Sequence, residues 1–470
     1  MEEDFDPYFE SNDDLELSNR FERMLEMNEH YFFDVEEFED LIDFYLDQNN
    51  IKQAKKVIEF SLTQHPSSSA LKLKQAQIYA ETHQPIKALE VLNAAEQIEP
   101  FNSDILLAKA SIYSQIRQPN KAIENFFKAT KIIDDQIEKA NILLNIAFEY
   151  ENLSQFDKAL TILKDLLKEN PENETVLYEI AFCYNLKNDS DNSIEFFKEF
   201  IDENPFSYIA WFNLGIAYNK AELFEKAIEA YDYAIAIKED FAAAYFNKAN
   251  SLALMEKYTE AINVFRETFN YEEPDATTYY YIGECFEKLE DYPNAENNYL
   301  KAIKIDVFYA DVFAGLAVIY EYQNKDQQAI ENIKKALELE ANNSEFWYIY
   351  GDILAKLEQT EEAVVAYYKV MELDEDNEDV WLDIAEVVKK TDSVDKAILF
   401  LYEGLEKQPS NYQIYTRLAA LLLEKGNEID AIEHLNIALS QNKELAQEFL
   451  EYYPDAIHFP AIVETLENYK

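Results

Sequence analysis

The stretch AWFNLGIAYNKAELFEKAIEAYDYAIAI, residues 210–237, decides the fold of this 470-residue chain. Its apolar and small residues recur at the spacing of one helical face, first as Trp211, Leu214, Gly215 and Tyr218, then as Phe224, Ala227, Ile228 and Tyr231. Two amphipathic helices joined at about residues 221–224 make an antiparallel pair, and neither can bury its apolar face alone. The stretch therefore predicts a helical hairpin that needs neighbours.

The neighbours are marked by a periodic alanine. Alanine recurs at residues 54, 88, 122, 159, 227, 261, 295, 329, 363, 397 and 431, and Ser193 stands where a twelfth alanine would fall. The step is 34 residues, except for one step of 37. Because one methyl group at this place lets two helices approach closely, the period predicts a stack of similar helix pairs.

The composition agrees with an all-α chain and narrows the partners. Only six glycines and twelve prolines interrupt a sequence that is 48% hydrophobic. With 93 acids against 41 bases, the formal net charge is −52. So acidic a surface repels phosphate backbones and argues against nucleic acid, while it favours encounter with a basic protein or peptide. Without a run of ~18 apolar residues, we expect no membrane insertion.

This pattern resembles that of the tetratricopeptide repeat family. The family's series of aromatic, Leu-Gly, Tyr, Ala, aromatic and Ala is matched by Trp211, Leu214, Gly215, Tyr218, Ala227, Tyr231 and Ala234. Further copies are Tyr279, Ile282, Gly283, Phe286, Ala295, Tyr299 and Ala302, and then Trp347, Tyr350, Gly351, Ala363 and Tyr367. The resemblance implies an all-α, right-handed superhelical solenoid of stacked antiparallel helix pairs.

The register divides the chain into two terminal segments and twelve repeats. Residues 1–34 are an acidic tail with a capping helix around Phe21 and Met24, and residues 446–470 supply C-terminal capping helices. The repeats span 35–445, as 35–68, 69–102, 103–136, 140–173, 174–207, 208–241, 242–275, 276–309, 310–343, 344–377, 378–411 and 412–445. The three extra residues at about 137–139 should lengthen one helix or loop.

The sequence offers no catalytic, cofactor or metal site. The six glycines are too far apart to build a phosphate-binding loop, and the five histidines are scattered. We interpret Cys183 and Cys285 as buried hydrophobes of a reducing compartment rather than as a disulfide. With no secretory signal at the N-terminus, we expect a cytoplasmic protein that is not an enzyme.

The resemblance also implies a binding surface. In this family the first helices of successive repeats line a concave groove, and the second, fifth, ninth and twelfth residues of each repeat point into it. At these positions the chain is apolar or aromatic at Phe148, Tyr178, Phe182, Phe212, Phe246 and Tyr280, amidic at Asn250, and acidic at Glu284, Glu287, Asp311, Glu345 and Asp352. The sixth position adds Asn145, Asn213 and Asn247, whose amides suit the backbone of an extended peptide.

Two other interpretations of these positions stay open. Aromatic residues at helical spacing are often core, and a register error of one residue would turn Phe212 inward. The excess of acids in the later repeats can also echo the overall charge of the chain.

We therefore expect a protein-interaction scaffold or adaptor. It would bind an extended or helical segment of a partner in the groove, through apolar anchors and a basic flank. The alternative is a regulatory or substrate-recruiting subunit of a separate enzyme complex, such as a peptide-modifying transferase.

The alanine period makes a stability prediction. Ala227→Leu inserts methylene groups between two closely packed helices and should lower the free energy of unfolding by ~1 to 3 kcal/mol or more. Urea unfolding followed by circular dichroism measures this difference. Wild-type stability in the variant would show that the register of the repeats is wrong.

Overall fold

The computed structural model describes residues 12–27 and 29–469, and this part of the chain is all-α, as the sequence predicts. It forms 27 α-helices and two short 3-10 helices. The chain divides into two compact units, Met1–Glu239 and Asp240–Lys470, called here the first and second unit. Residues 1–11 of the predicted acidic tail lie outside the described residues.

The first unit contains thirteen helices. They are α1 (Asn12–Met27), α2 (Val35–Asp47), α3 (Ile51–Gln64), α4 (Ser69–Glu81), α5 (Pro85–Ile98), α6 (Ser103–Gln115), α7 (Pro119–Thr130), α8 (Gln136–Asn152), α9 (Phe156–Glu169), α10 (Glu174–Leu186), α11 (Ser190–Glu203), α12 (Tyr208–Lys220) and α13 (Phe224–Ile237).

The second unit contains the other fourteen α-helices of the described chain. They are α14 (Ala242–Leu254), α15 (Tyr258–Glu267), α16 (Ala276–Lys288), α17 (Tyr292–Ile305), α18 (Ala310–Tyr322), α19 (Asp326–Leu339), α20 (Ser344–Lys356), α21 (Thr360–Leu373), α22 (Val380–Thr391), α23 (Val394–Lys407), α24 (Tyr412–Glu424), α25 (Glu428–Gln441), α26 (Leu445–Tyr452) and α27 (Pro460–Asn468). The 3-10 helices are Thr268–Asn270 and Pro454–His458.

Within each unit the helices follow one another in pairs that are closed by the same turn. The two helices of a pair, such as α12 and α13, pack along each other, and the pairs pack in series. In the turn of this pair Glu222 has a left-handed backbone with φ 58°, and the N–H of Leu223 donates to the carbonyl oxygen of Tyr218 at 2.9 Å. This is a common way to close the C-terminal end of a helix, and it recurs 34 residues later at Glu256.

Small residues let the helices of a pair approach closely. All eleven alanines of the 34-residue period are fully buried. A Cβ atom on Gly215 would lie 2.4 Å from a ring carbon of Tyr231, so the ring fills space that only glycine leaves. The relation recurs between Gly283 and Tyr299 and between Gly351 and Tyr367. These tyrosines are among the largest fully buried side chains of the described residues.

Two first helices depart from the length and start of the others. Helix α8 is 17 residues long, against 13 in α6 and α10, so the insertion adds about one turn to this helix. Helix α22 begins at Val380, although the 34-residue register expects a start at 378. Before it, the Nε2 of Gln408 donates to the carbonyl oxygens of Glu375 and Asn377 at 2.8 and 3.1 Å, which holds this segment outside the helix.

Additional helices cover the outermost pairs of the described chain. Helix α1 buries Phe21 and Met24, and the ring of Phe21 meets that of Phe33 edge-on at 5.9 Å. At the other end α26 packs on α24 and α27 packs on α25, with Phe449 and Ile462 buried. Terminal helix pairs of a solenoid need such a cover because they have a neighbour on one side only.

The buried tyrosines make a second stability prediction. The hydroxyl of Tyr231 has no hydrogen-bond partner among the described residues, whereas that of Tyr367 donates to Asp352 Oδ1 at 2.6 Å. An unsatisfied buried hydroxyl costs ~1 to 3 kcal/mol, so Tyr231→Phe should raise the free energy of unfolding by ~1 kcal/mol. Tyr367→Phe should lower it by a similar amount because it removes a bond to a carboxylate. Urea unfolding of both variants checks the order, and a Tyr231→Phe variant less stable than Tyr367→Phe would contradict it.

Candidate protein-binding faces

The first helices of neighbouring pairs lie side by side and form one face of each unit. In the first unit α2 contacts α4, α4 contacts α6, and α10 contacts α12. In the second unit α14, α16, α18 and α20 contact one another in turn, and α22 contacts α24. This surface is called the first-helix face, and the predicted groove residues all lie on its helices.

The first unit exposes aromatic rings on this face. Tyr178 and Phe182 lie one turn apart on α10 and are 38% and 47% exposed, while Phe148 on α8 is half-buried. Phe212 is only 6% exposed because it packs against Tyr231, with ring centroids 5.9 Å apart. Phe212 therefore offers little surface to a ligand and instead supports Tyr178 edge-on at 6.5 Å.

A cleft opens between α6 and α8 on the same unit. Its volume is about 550 Å3, and the inserted turn of α8 contributes Glu138 to its rim. The other lining residues are Leu107, Ser111, Ser114, Gln115, Phe126, Asn141, Ile142, Asn145, Phe148, Glu149 and Asn152. The Ser114 hydroxyl donates to the buried Glu149 carboxylate in the wall. Hydroxyl, amide and aromatic groups thus line one open cleft, a mixture that suits a peptide.

The three asparagines at the sixth position have different surroundings. Asn145 is exposed at the cleft. Asn213 is buried, and its Nδ2 has no partner among the described residues. Asn247 is half-buried, and its Nδ2 donates to the Ala243 carbonyl oxygen of its own helix at 2.8 Å. Of the three, Asn145 is the residue whose side chain lies open on the surface.

Two half-buried acids, Glu151 and Glu179, lie near the buried thiol of Cys183. The Sγ of Cys183 donates to Glu151 Oε1 at 3.3 Å. Burial, followed by the nearby Glu179 carboxylate, raises the pKa of Glu151 to about 7. Burial also raises the pKa of Glu179 and that of the Cys183 thiol. Cys183 is thus held as a buried thiol, which is a poor nucleophile.

The second unit has half-buried carboxylates on its first-helix face. Glu284 and Glu287 lie on α16, Asp311 on α18 and Asp352 on α20, and burial is the largest cause that raises the pKa of each. The pKa of Asp352 reaches about 6. Glu345, at the start of α20, is exposed. A carboxylate that has lost water gains more from a cation than an exposed carboxylate does.

Tyrosine hydroxyls hold several of these acids in place. The hydroxyl of Tyr299 donates to Glu287 at 2.7 Å, and that of Tyr367 donates to Asp352. The hydroxyl of Tyr348 donates to Asp383, whose pKa is likewise raised, chiefly by burial. Each such acid therefore has a fixed position on the face.

The remaining predicted residues of the second unit form a partly buried aromatic floor. Phe246 is half-buried between Phe265 and Tyr281, with ring centroids 5.3 and 5.5 Å away. Tyr280 is half-buried against Tyr299 and Tyr309. Phe246 and Asn247 line a cleft of about 290 Å3 next to Thr277 and Glu273, and Asn250 is half-buried one turn further along α14.

Sequence reasoning missed contacts that join neighbouring first helices. Tyr348 reaches Asp383, Lys356 reaches Glu321 at 3.1 Å, and Lys220 reaches Asn185. The partners are 35 residues apart in each case, one more than the repeat length. A search for donors and acceptors at this separation would have found them.

The described residues contain neither a metal-binding cluster nor a membrane-spanning helix. No group of three or more histidine, cysteine, aspartate or glutamate side chains there can hold a metal ion. Among the helices of that part of the chain, none has the length and apolar character to cross a membrane. Both cysteines are unpaired and buried.

Serial helix pairs with one face of adjacent first helices define an all-α helical-repeat protein. The family model of the tetratricopeptide repeat matches residues 144–208, 188–244, 246–307 and 315–379. The chain is a member of the tetratricopeptide repeat family.

Solved structures that are similar to the chain include two repeat proteins. No curated protein gives a significant match. The crystal structure of the APC/C hetero-tetramer Cut9-Hcn1 is 16% identical, covers 86% of this chain and 92% of the matched chain, and has a TM-score of 0.44. The crystal structure of YrrB, a TPR protein with an unusual peptide-binding site, is 20% identical, covers 41% of this chain and 97% of that one, and has a TM-score of 0.33.

The raised pKa of Glu151 predicts a pH-dependent stability. The unfolded carboxyl ionises near pH ~4.3 and the folded one near pH 7, so ionisation disfavours the folded state as the pH rises between these values. Glu151→Gln should therefore raise the melting temperature at pH 8, with no gain at pH 4. The amide oxygen of glutamine can still accept the Cys183 hydrogen bond.

Glu124 provides the matched control. A hydrogen bond from Lys128 is the largest cause that lowers the pKa of this exposed carboxyl, so Glu124→Gln should give no increase at pH 8. Equal pH profiles for wild type and Glu151→Gln would show that Glu151 ionises freely in the folded protein.

Proposed function

We propose that the chain binds segments of partner proteins on its first-helix faces. Apolar side chains of the partner would pack on the first unit, and basic side chains of the partner would pair with the acids of the second unit. The repeat array itself is a protein-interaction scaffold, as the family match supports. The observation that carries the proposal is the cleft between α6 and α8, with Phe148 in its wall.

The first unit offers the two kinds of group that a peptide segment needs. Tyr178 and Phe182 are exposed and Phe148 lines the cleft, so an apolar side chain can pack on them and lose water. Asn141 and Asn145 provide amide donors and acceptors for the unpaired backbone groups of the same segment. An extended or a helical segment with apolar anchors fits this surface.

The second unit favours a basic flank. Four carboxylates on its first-helix face are already partly dehydrated by burial, so docking of a ligand costs them less hydration: Glu284, Glu287, Asp311 and Asp352. A lysine or arginine placed beside them restores a favourable partner for each negative charge. The exposed Glu345 adds long-range attraction, which acts mainly on the association rate.

The scaffold acts without catalysis in this proposal. The fold is typically a non-catalytic interaction module, and burial raises the pKa of the Cys183 and Cys285 thiols, which keeps them from acting as nucleophiles. We assign the cytoplasm as its compartment because both cysteines are unpaired and buried.

The proposal predicts that aromatic variants of the first unit lose binding. A photo-crosslinking residue at position 148 identifies the partner in cells, and calorimetry then measures the affinity of the purified partner. Phe148→Ala, Tyr178→Ala and Phe182→Ala should each weaken binding about tenfold or more, since central aromatic truncations cost ~2 kcal/mol. Phe212→Ala should mainly lower stability because its ring is buried.

Phe127→Ala is the control for this experiment. Phe127 is partly exposed on α7, a second helix away from the first-helix face, and its truncation should leave affinity unchanged. Wild-type affinity in the three face variants would refute the assigned surface. A catalytic polypeptide as the crosslinked species would instead identify the chain as a recruiting subunit of an enzyme complex.

A further inference from the structure

The second unit has an apolar patch on its second helices, away from the first-helix face. Val365 and Tyr368 on α21, and Leu399 and Tyr402 on α23, form the α21–α23 patch. Val365 is 61% and Leu399 is 68% exposed, and both tyrosines are also exposed. Side chains so exposed contribute little to the core, so the fold does not require them to be apolar.

The neighbouring second helices are polar at the same places. One repeat before Val365 stands Glu331, and one repeat after Leu399 stands Glu433. Lys334 and Asn436 occupy the places of the two tyrosines. Helices α21 and α23 are thus apolar at both places, whereas the second helices on either side of them, α19 and α25, are polar there.

The patch is continuous and rests on packed aromatic residues. Tyr368 of α21 meets Phe400 of α23 edge-on at 6.3 Å, and Phe400 packs on Trp381 at 4.9 Å. The hydroxyl of Tyr402 lies 3.0 Å from Nε2 of His434 on α25. These contacts fix both tyrosines, so a ligand would lose little entropy by ordering them.

The rim of the patch is acidic. Burial is the largest cause that raises the pKa of Tyr368, and the nearby Glu403 carboxylate raises it further. Asp430 and Glu433 do the same for Tyr402, again after burial. The lysines nearby are paired, Lys369 with Glu372 at 2.5 Å and Lys396 with Asp392 at 2.8 Å. The field around the patch therefore favours a cationic partner.

We propose that the α21–α23 patch docks an amphipathic helix of another protein, with an apolar stripe and a lysine- or arginine-rich flank. A helix satisfies its own backbone hydrogen bonds, which matters because the four patch residues present apolar surface and phenol groups but no amides. A second copy of the chain fits poorly because it would bring two acidic rims together in a protein of net charge −52.

The test uses a fluorescent model peptide of about 18 residues with a leucine stripe and a lysine face, and a glutamate-faced analogue of equal length. Fluorescence anisotropy measures binding of each peptide at ~0.3 M salt, because this salt concentration screens unspecific attraction between charges. We expect the lysine peptide to bind, and Val365→Glu with Leu399→Glu to weaken it at least tenfold. Glutamate occurs at the same place on α19 and α25, so the variant should fold. If the double glutamate variant does not fold, Val365→Gln with Leu399→Gln replaces it, and we expect the same loss of binding.

Two controls locate the site. Leu300→Glu alters an exposed leucine on α17, outside the patch, and should bind the peptide like wild type. Phe127→Ala, on the second helix α7 of the first unit, should also bind normally, which separates the patch from other exposed apolar residues of the second helices.

Three outcomes would overturn the proposal. Equal or tighter binding by the double glutamate variant would mean attraction by charge alone, since that variant adds two negative charges. Equal binding of the glutamate-faced peptide would remove the requirement for a basic flank. A wild-type dimer in light scattering that the double variant abolishes would assign the patch to a second copy of the chain.

Discussion

The close approach of two helices at a small residue is the constraint on which the rest of each unit depends. Ala227 on α13 has no exposed surface, and Gly215 on α12 leaves room for the ring of Tyr231. A larger residue at either place would separate the helices of the pair. Because each pair packs on the next, a change in one spacing would also shift the adjoining first helices, and with them the first-helix face.

The framework also determines where basic charge is available. Lysines on second helices lie over tyrosine rings of first helices, as Lys121 does over Tyr113 and Lys158 over Tyr150, at 5.2 Å in both cases. Lys226 lies over Tyr218 in the same way. These cation–π contacts hold the lysine side chains between the two helices of a pair. Acids on the second unit's first-helix face, such as Asp352, are met by tyrosine hydroxyls instead.

The fold could be predicted from the sequence because its determinants repeat. One alanine every 34 residues, with glycine and tyrosine at fixed distances, indicates the pairing of helices without any long-range information. The late start of α22 could not be predicted, since the segment before this helix is bound by the side chain of Gln408, which lies 33 residues beyond Glu375. Local periodicity contains no record of such a contact.

The candidate site could be predicted only as a set of helices and positions. Tyr178 and Phe182 are exposed, but Phe212, at an equivalent position, is buried. The difference depends on what lies beneath each ring, since Phe212 packs on Tyr231. The pKa of Glu151 was equally inaccessible, because it follows from burial and from the neighbouring Glu179 on α10.

Part of the contrast between the apolar and acidic faces lies at the residue that follows the packing glycine, as two of the glycine–tyrosine pairs illustrate. Asp352 follows Gly351 and accepts the hydroxyl of Tyr367, the ring that fills the space above that glycine. Ile216 follows Gly215, and the hydroxyl of Tyr231 there has no partner among the described residues. The same buried ring therefore fixes a carboxylate on one unit's face and supports an apolar surface on the other's. A single position beside the packing glycine can thus change the chemistry of the face while the helix pair keeps its spacing.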